Sequence, residues 1–400
     1  MAATFRQCPI CQYPSSVPFL KLQPVPVFCN VLYPSASAAR RAPASAIHLV
    51  VCENCALIYN AQFEPALMQY SPGYTNPLDV SDRFRAFANE LATKLVKNHA
   101  LYGGRAVEIG CGNGFFLERL VEKGMKQGIG YDPSAKRREE TENLPVQIFP
   151  KLIDLDHSLG PVDAFICRHV FEHLSDPVEF LSKLRAHIEK DDALIYFEVP
   201  NANQMLDGGM IWDVIYEHFT YWTSPALSTL FERHGFEPIS VSTGFGKQFL
   251  MLEGRPSALP YQNSWPARAD VHAFKKQCFR FGETSTKLIS HWKSVLRNLR
   301  TLGRKVVLWG AGSKGITFAN VVAGEEPLLA GIVDINPEKQ GRYAALTGVP
   351  VLSPANLNDL RPDVILLMNE NYTFEVTNLL NEIGVAACIQ DISQVLHLAA

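Results

Sequence analysis

The sequence has no long hydrophobic run and no surplus of positive charge, and each absence closes off a class of function. No apolar stretch approaches the ~20 residues needed to span a bilayer. Met1-Ala2-Ala3-Thr4-Phe5-Arg6-Gln7 contains no apolar core of a signal peptide. The expectation is a cytoplasmic protein with no membrane partner. Lysine and arginine number 37 against 40 aspartates and glutamates, a formal net charge of −3. That balance leaves no basic footprint for nucleic acid. Charged residues make up only 19% of the 400, and hydrophobic residues 47%. Such a composition suits two or three globular domains with substantial cores.

Nine cysteines without a secretory signal favour thiols and metal ligands over disulfides. Cys8-Pro9-Ile10-Cys11 and Cys52-Glu53-Asn54-Cys55 are two C-x-x-C knuckles. Each presents two thiolates from a tight turn, and Cys8, Cys11, Cys52 and Cys55 together complete a tetrahedral Zn²⁺ shell. A redox C-x-x-C would need one knuckle beside a thioredoxin-like βαβ pattern, which is absent. Four sulfur ligands leave no open position for water, so the expected zinc is structural. Cys29, between the knuckles, reads as a buried thiol and not a fifth ligand.

The chain is organised around Ala106-Val107-Glu108-Ile109-Gly110-Cys111-Gly112-Asn113-Gly114, followed at once by the amphipathic Phe115-Phe116-Leu117-Glu118-Arg119-Leu120. An apolar run, three alternating glycines and a helical pattern predict a strand, a tight turn and a helix start. Gly110, Gly112 and Gly114 would let the backbone approach a ligand. Asp132 ends the next strand, Gly128-Ile129-Gly130-Tyr131, where an acid can accept ribose hydroxyls. Dinucleotide enzymes use G-x-G-x-x-G. This turn is G-x-G-x-G preceded by Glu108, a form that resembles motif I of class I S-adenosylmethionine (SAM) methyltransferases.

Tyr70-Ser71-Pro72-Gly73-Tyr74-Thr75-Asn76-Pro77 is a turn-rich connector, and Tyr70 and Tyr74 either line the site from above or simply pack. A helix is predicted from Ser81 to about His99. Val162–Cys167 and Ala193–Pro200 are predicted strands, with a helix starting at Asp176-Pro177. Strands alternating with helices imply a parallel, doubly wound sheet whose ligands bind at the carboxyl ends. His169 would therefore face the cleft, whereas His173 reads as a packing or capping residue.

Ile211 to Trp222 is dense in acid/base and aromatic residues. His218 beside Glu217 could be held in one tautomer and act as a general base. Tyr216 and Tyr221 could donate hydrogen bonds to a developing oxyanion; the competing reading is an aromatic lid. Val241 to Glu253 reads as two strands around a glycine turn, and Arg255 to Leu302 is helical in pattern. Lys305-Val306-Val307-Leu308-Trp309 then leads into Gly310-Ala311-Gly312-Ser313-Lys314-Gly315, a literal G-x-G-x-x-G, with Asp334 ending the next strand. By pattern alone this is a dinucleotide fingerprint. A nicotinamide-dependent oxidoreductase is the rival reading. Lys314 would place a cation where a substrate phosphate could sit, and Asn369 borders the same crevice.

The whole order resembles the C-methyltransferases that modify deoxysugars and their relatives in natural-product pathways. The resemblance is strongest at the two knuckles, Glu108–Gly114, Glu198-Val199-Pro200-Asn201, Glu217-His218 and the C-terminal stretch that includes Asp334-Ile335-Asn336-Pro337-Glu338-Lys339-Gln340-Gly341. It implies an α/β fold: a Rossmann-like class I methyltransferase domain with an N-terminal zinc-binding module and a C-terminal Rossmann-like domain. The divisions are 1–70, 71–255 and 256–400. It further implies His218 as the base, a tyrosine nearby to assist, and a C-terminal domain that holds substrate without a dinucleotide. The sugar branch reads Tyr-His-Glu-His where this chain reads Ile215-Tyr216-Glu217-His218, so the assisting tyrosine is displaced. The expected reaction is carbon methylation of a small-molecule acceptor, a nucleotide-linked sugar being one candidate. O-methylation remains open, and the expected state is a monomer or small homo-oligomer.

Overall fold

The computed structural model describes residues 7–70, 74, 77–135, 144–257, 265, 268–324 and 326–392. The first six residues and most of the tyrosine-rich connector lie outside these; of that connector Tyr70, Tyr74 and Pro77 are described.

The cysteine-rich region forms an antiparallel sheet from β1 (Ser16–Pro26), β2 (Ala44–Cys52) and β3 (Ile58–Asn60). Both knuckles sit at one end of it, one ahead of β1 and one between β2 and β3, where Ser16 lies opposite Cys52. A helix, Asp82–Asn98, follows, capped by the Ser81 hydroxyl accepting from the Phe84 amide at 3.3 Å. Its apolar stripe of Phe84, Ala88, Leu91 and Leu95 is buried, as the helical spacing requires.

A seven-stranded sheet comes next. Its parallel part is β4 (Arg105–Ile109), β5 (Gln127–Tyr131), β6 (Val146–Phe149), β7 (Ala164–Arg168) and β8 (Leu194–Pro200). β7 is buried along its whole length and β8 nearly so, the mark of central strands covered on both faces. The short β9 (Thr220–Tyr221) returns to the first sheet and pairs antiparallel with β3, Ile58 opposite Tyr221. The segment holding Glu217 and His218 thus ends as an edge strand of the cysteine-rich sheet. β10 (Phe236–Gly244) and β11 (Phe249–Pro256) form an antiparallel hairpin that docks on β8. The resulting order is β6-β5-β4-β7-β8-β11-β10.

A single helix of 34 residues, Arg268–Thr301, then runs about 50 Å and leads to a third sheet. Its middle crosses β1: a Cβ on Gly282 would lie 1.9 Å from the Phe19 carbonyl oxygen, so only glycine allows this approach. The third sheet is wholly parallel, β14-β13-β12-β15-β16, from β12 (Val306–Trp309), β13 (Gly331–Val333), β14 (Val351–Leu352), β15 (Val364–Leu367) and β16 (Cys388–Asp391). In both parallel sheets the strand before the glycine turn, β4 or β12, sits where the order reverses. Ligand crevices open at such switch points.

Candidate active site

The first glycine turn leaves β4 with Gly110, Gly112 and Gly114 at φ of 72°, 54° and 82°. This left-handed region is one that side chains rarely adopt. A Cβ on Gly110 would also lie 2.1 Å from a methyl of Val170. The helix Phe115–Glu122 starts immediately after Gly114. Asp132, just past β5, accepts from the Gly112 amide at 2.9 Å through one oxygen. Its other oxygen accepts from the Ser134 amide and hydroxyl, both at 2.7 Å. Glu108 is 3% exposed and one carboxyl oxygen has no partner. Burial pushes this carboxyl up to about 8, leaving it neutral near pH 7.

Behind the turn sits a buried charge cluster. Glu198, fully buried on β8, accepts from Arg168 at 2.9 Å and from the Tyr196 hydroxyl at 2.7 Å. The Arg168 guanidinium lies 4.3 Å from the Phe116 ring centroid. His169 Nε2 comes within 2.8 Å of Glu198, and its ring sits 4.5 Å from that of Phe249. His169 lines the cleft, and its backbone takes φ of 57°.

The cleft itself has a volume of about 280 Å³ and is walled by all three sheets' regions. From the middle region come His169, Glu172, His173 and His218; from the C-terminal region, Gly310, Gly312 to Gly315, Asn369 and Tyr372; from the cysteine-rich region, Asn30. His218 stands half-buried with Nδ1 unpartnered. Burial, then the neighbouring His173 and His169, hold it well below the usual histidine range, so its imidazole is neutral at pH 7.

The neighbours of His218 differ from those its sequence suggests. Glu217 points away from it: the carboxylate, wholly buried, accepts from the Cys29 amide at 3.1 Å and fastens the cysteine-rich region to this segment. Burial pushes Glu217 up to about 7. Consecutive residues here leave the chain in different directions, which prevents the adjacent pair from acting as a dyad. Tyr216 also faces away from the cleft. It stacks on Phe63, donates its hydroxyl to the Gln62 carbonyl at 3.3 Å and accepts from the Glu64 amide at 2.9 Å. Tyr221 does reach the cleft with its ring, 5.8 Å from that of His218. Its hydroxyl is committed to the Ile215 carbonyl at 3.0 Å. His173, expected to pack or cap, lines the cleft instead; its ring is 5.0 Å from His218, and Nδ1 donates to the Glu217 carbonyl at 2.9 Å.

Tyr74 lines the cleft, and its hydroxyl accepts from Asn30 at 3.4 Å. Asn30 is 1% exposed and also donates to Ser313 at 3.2 Å, joining the cysteine-rich region to the second glycine turn. No pattern marks Asn30 in the sequence, because only the three-way packing brings it here. Lys314 reaches the cleft, but it pairs with Asp213 at 2.9 Å and is not the free cation expected at the turn. Asn369 donates to Gln248 at 2.9 Å across the wall between the two Rossmann-like regions.

The second turn is built like a dinucleotide turn, with a Cβ on Gly315 only 2.0 Å from the Gly310 carbonyl oxygen. Asp334 accepts from the Ala311 amide at 2.8 Å, as Asp132 does from the Gly112 amide; what differs is Lys339, which donates to the Ala311 carbonyl at 3.0 Å with its stem buried. In the cysteine-rich region the sulfurs of Cys8, Cys11, Cys52 and Cys55 lie within 4.8 Å of one another. Cys8 to Cys55 and Cys11 to Cys52 are each 3.5 Å. Four thiols so gathered fit tetrahedral thiolate ligation. Cys29 is remote from them, its sulfur 3.8 Å from the Thr317 hydroxyl.

Residues 80–241 match the methyltransferase domain family, and residues 269–387 match the C-methyltransferase C-terminal domain. The chain is 25% identical over 292 residues to C-methyltransferase NovU of Streptomyces niveus, covering 68% of each chain. It is 27% identical over 198 residues to a tRNA U34 carboxymethyltransferase of Idiomarina loihiensis, covering 45% of this chain and 61% of that one. Among solved structures, magnesium protoporphyrin IX methyltransferase from Synechocystis with bound SAH aligns over 46% of this chain and 89% of that one, at 16% identity and a TM-score of 0.36. No helix among the described residues is long and apolar enough to cross a membrane. The match over 269–387 sets aside the oxidoreductase reading of the second glycine turn. The chain belongs to the class I SAM-dependent methyltransferases, and its last third is the C-terminal domain of the C-methyltransferases.

Proposed function

We propose that the cleft methylates carbon in a small acceptor bearing a carbonyl group, with SAM held over Gly110, Gly112 and Gly114. Asp132 would take the cofactor ribose, with Glu108 and His169 as further residues of the cofactor site. SAM supplies an activated methyl group; this chain's residues supply a base and a positioned, water-poor cleft. His218 removes a proton from the carbon next to the acceptor carbonyl. The observation that carries this role is its half-buried, neutral imidazole with an unpartnered Nδ1 in the cleft between the sheets. A neutral imidazole is the form that accepts a proton.

Tyr74 and Asn369 contact the acceptor from opposite walls. Lys314, paired with Asp213, reads an anionic or carbonyl oxygen only by exchanging that partner. A nucleotide-linked keto-sugar fits a cleft that runs from His218 to the second glycine turn. The similarity to NovU favours carbon as the methylated atom. The Cys8, Cys11, Cys52 and Cys55 cluster holds Zn²⁺ that fixes the first sheet and, through Asn30 and the Glu217 contact, one side of the cleft.

The test uses SAM labelled with ¹³C in its methyl group and a panel of nucleoside-diphosphate-linked keto-deoxysugars. Release of S-adenosylhomocysteine reports turnover, and NMR of the product separates carbon-bound from oxygen-bound methyl. His218→Ala should abolish turnover while S-adenosylhomocysteine still binds. Turnover within about 2-fold of wild type, well short of the factors general bases contribute, would remove His218 as the base.

A further inference from the structure

Glu172 has no role in the sequence reading, yet its carboxyl group lies within 4.8 Å of the base. It lies in the helical turn Phe171–His173 that follows β7, is 1% exposed, lines the cleft and leaves one carboxyl oxygen without a partner. A carboxyl oxygen of Glu172, a ring nitrogen of His173 and a ring nitrogen of His218 lie within 4.8 Å of one another. A buried polar atom with no partner is costly and rare unless it is used.

The tautomer of His173 follows from its surroundings. Nδ1 is 2.9 Å from the Glu217 carbonyl, which can only accept, so Nδ1 carries the proton. Nε2 is then a bare lone pair, 3.9 Å from Glu172 Oε1. The sequence pair Glu217-His218 is therefore divided in space: Glu217 anchors its segment, and Glu172 supplies the side-chain carboxyl facing the histidines.

We propose that Glu172, and not Glu217, is the positioning carboxyl of this site, stabilising the imidazolium that forms on His218 during methyl transfer. The inference rests on His218 acting as the base. In the step, the acceptor C–H bond breaks and an N–H bond forms on His218. The carbon's electron pair makes the new C–CH₃ bond. The electrons of the broken S–CH₃ bond stay on sulfur, leaving neutral S-adenosylhomocysteine. The positive charge passes from sulfur to His218, and a carboxylate at Glu172 offsets it there.

Burial pushes the Glu172 carboxyl up to about 8, with the Glu198 charge adding to the effect. Ionisation, and with it support for the imidazolium, therefore grows as pH rises through about 8. The other groups facing this cluster are His169, Tyr221, the Tyr70 hydroxyl 3.1 Å from His173 Nδ1, and Glu217. Burial lowers His173 to about 4, so it stays neutral across that range.

Glu172→Gln keeps the shape and removes the charge; Glu172→Asp keeps the charge. With S-adenosylhomocysteine bound, ring ¹⁵N shifts of His173 and His218 should step near pH 8 in the wild type and in Glu172→Asp. The step should vanish in Glu172→Gln, whose S-adenosylhomocysteine affinity stays unchanged. With a turned-over keto-sugar, Glu172→Gln should lower kcat about 10-fold or more at constant KM above about pH 8, where the wild-type carboxyl is ionised, and little below it, so that the rise with pH flattens. Glu172→Asp should restore part of the rate.

A step that persists in Glu172→Gln overturns the proposal. So does a wild-type kcat profile in that variant. Metal analysis adds a third overturning outcome: one metal equivalent beyond the cysteine cluster, lost in Glu172→Gln, would make Glu172 a ligand. The NMR arm needs no acceptor, so it decides the case even if every keto-sugar fails and the acceptor assignment falls.

Discussion

Replacing Glu198 with glutamine removes the charge at the centre of the buried cluster behind the cofactor turn. Burial opposes ionisation of this carboxyl, but Arg168 and then His169 outweigh it and hold the group at about 2, against 4.5 for an ordinary glutamate. That interval corresponds to about 3 kcal/mol in favour of the folded state. The sign is fixed by the depressed value. The contribution is fully present above about pH 4.5 and is lost as pH falls toward 2.

In Glu198→Gln, Arg168 keeps its burial, at 8% exposure, and loses its counter-charge. Breaking a buried pair from one side costs about 3–5 kcal/mol. Replacing both partners, in Arg168→Met with Glu198→Leu, should recover much of that loss, because the double variant strands no buried charge. Urea unfolding followed by tryptophan fluorescence at pH 7 would measure both. The single variant should unfold at markedly lower urea, and its stability should depend less on pH between 4.5 and 2 than the wild type's. A single variant within about 1 kcal/mol of wild type, well under the range for a broken buried pair, would refute the reasoning: the pair would be adequately solvated in the folded state.

Three further outcomes are expected. Gly282→Ala places a methyl 1.9 Å from the Phe19 carbonyl; the clash should cost about 1–3 kcal/mol, more than the roughly 1 kcal/mol that alanine gains in a helix, read as a lower thermal midpoint. Asp132→Ala frees the Gly112 amide and removes the expected ribose acceptor. At about 1.5–3 kcal/mol for a charged hydrogen bond, calorimetry should show S-adenosylhomocysteine binding roughly 10- to 100-fold weaker. Cys52→Ser should release zinc from the cysteine cluster, measured by metal analysis, and loosen the first sheet, measured as faster proteolysis.

Much of this was legible along the chain because it depends on local pattern. Gly110, Gly112 and Gly114 announce a left-handed turn between strand and helix, and the turn has that backbone. Ser81 and Asp176 announce helix starts, and each accepts from an amide three residues on. The cysteine spacing announces two knuckles, and their sulfurs meet. Of the helix expected from Arg255 to Leu302, Arg255 and Pro256 belong instead to β11, which completes its pairing with β10, and the described helix is Arg268–Thr301. An apolar pattern does not reveal where an edge hairpin ends.

The sequence by itself determined the methyltransferase class, the two glycine turns and the two cysteine knuckles, since each rests on short local motifs. Tertiary structure alone decided which side chains share the cleft. Glu217 and His218 are neighbours in sequence, yet the carboxyl turns to Cys29, 188 positions away, while Glu172 comes within 4.8 Å of the histidine from another loop. Lys314, a free cation on paper, meets Asp213 across 101 positions. The physical reason is the same in each case. A buried charge must find a partner wherever the packed chain offers one, and sequence adjacency has no influence on that choice.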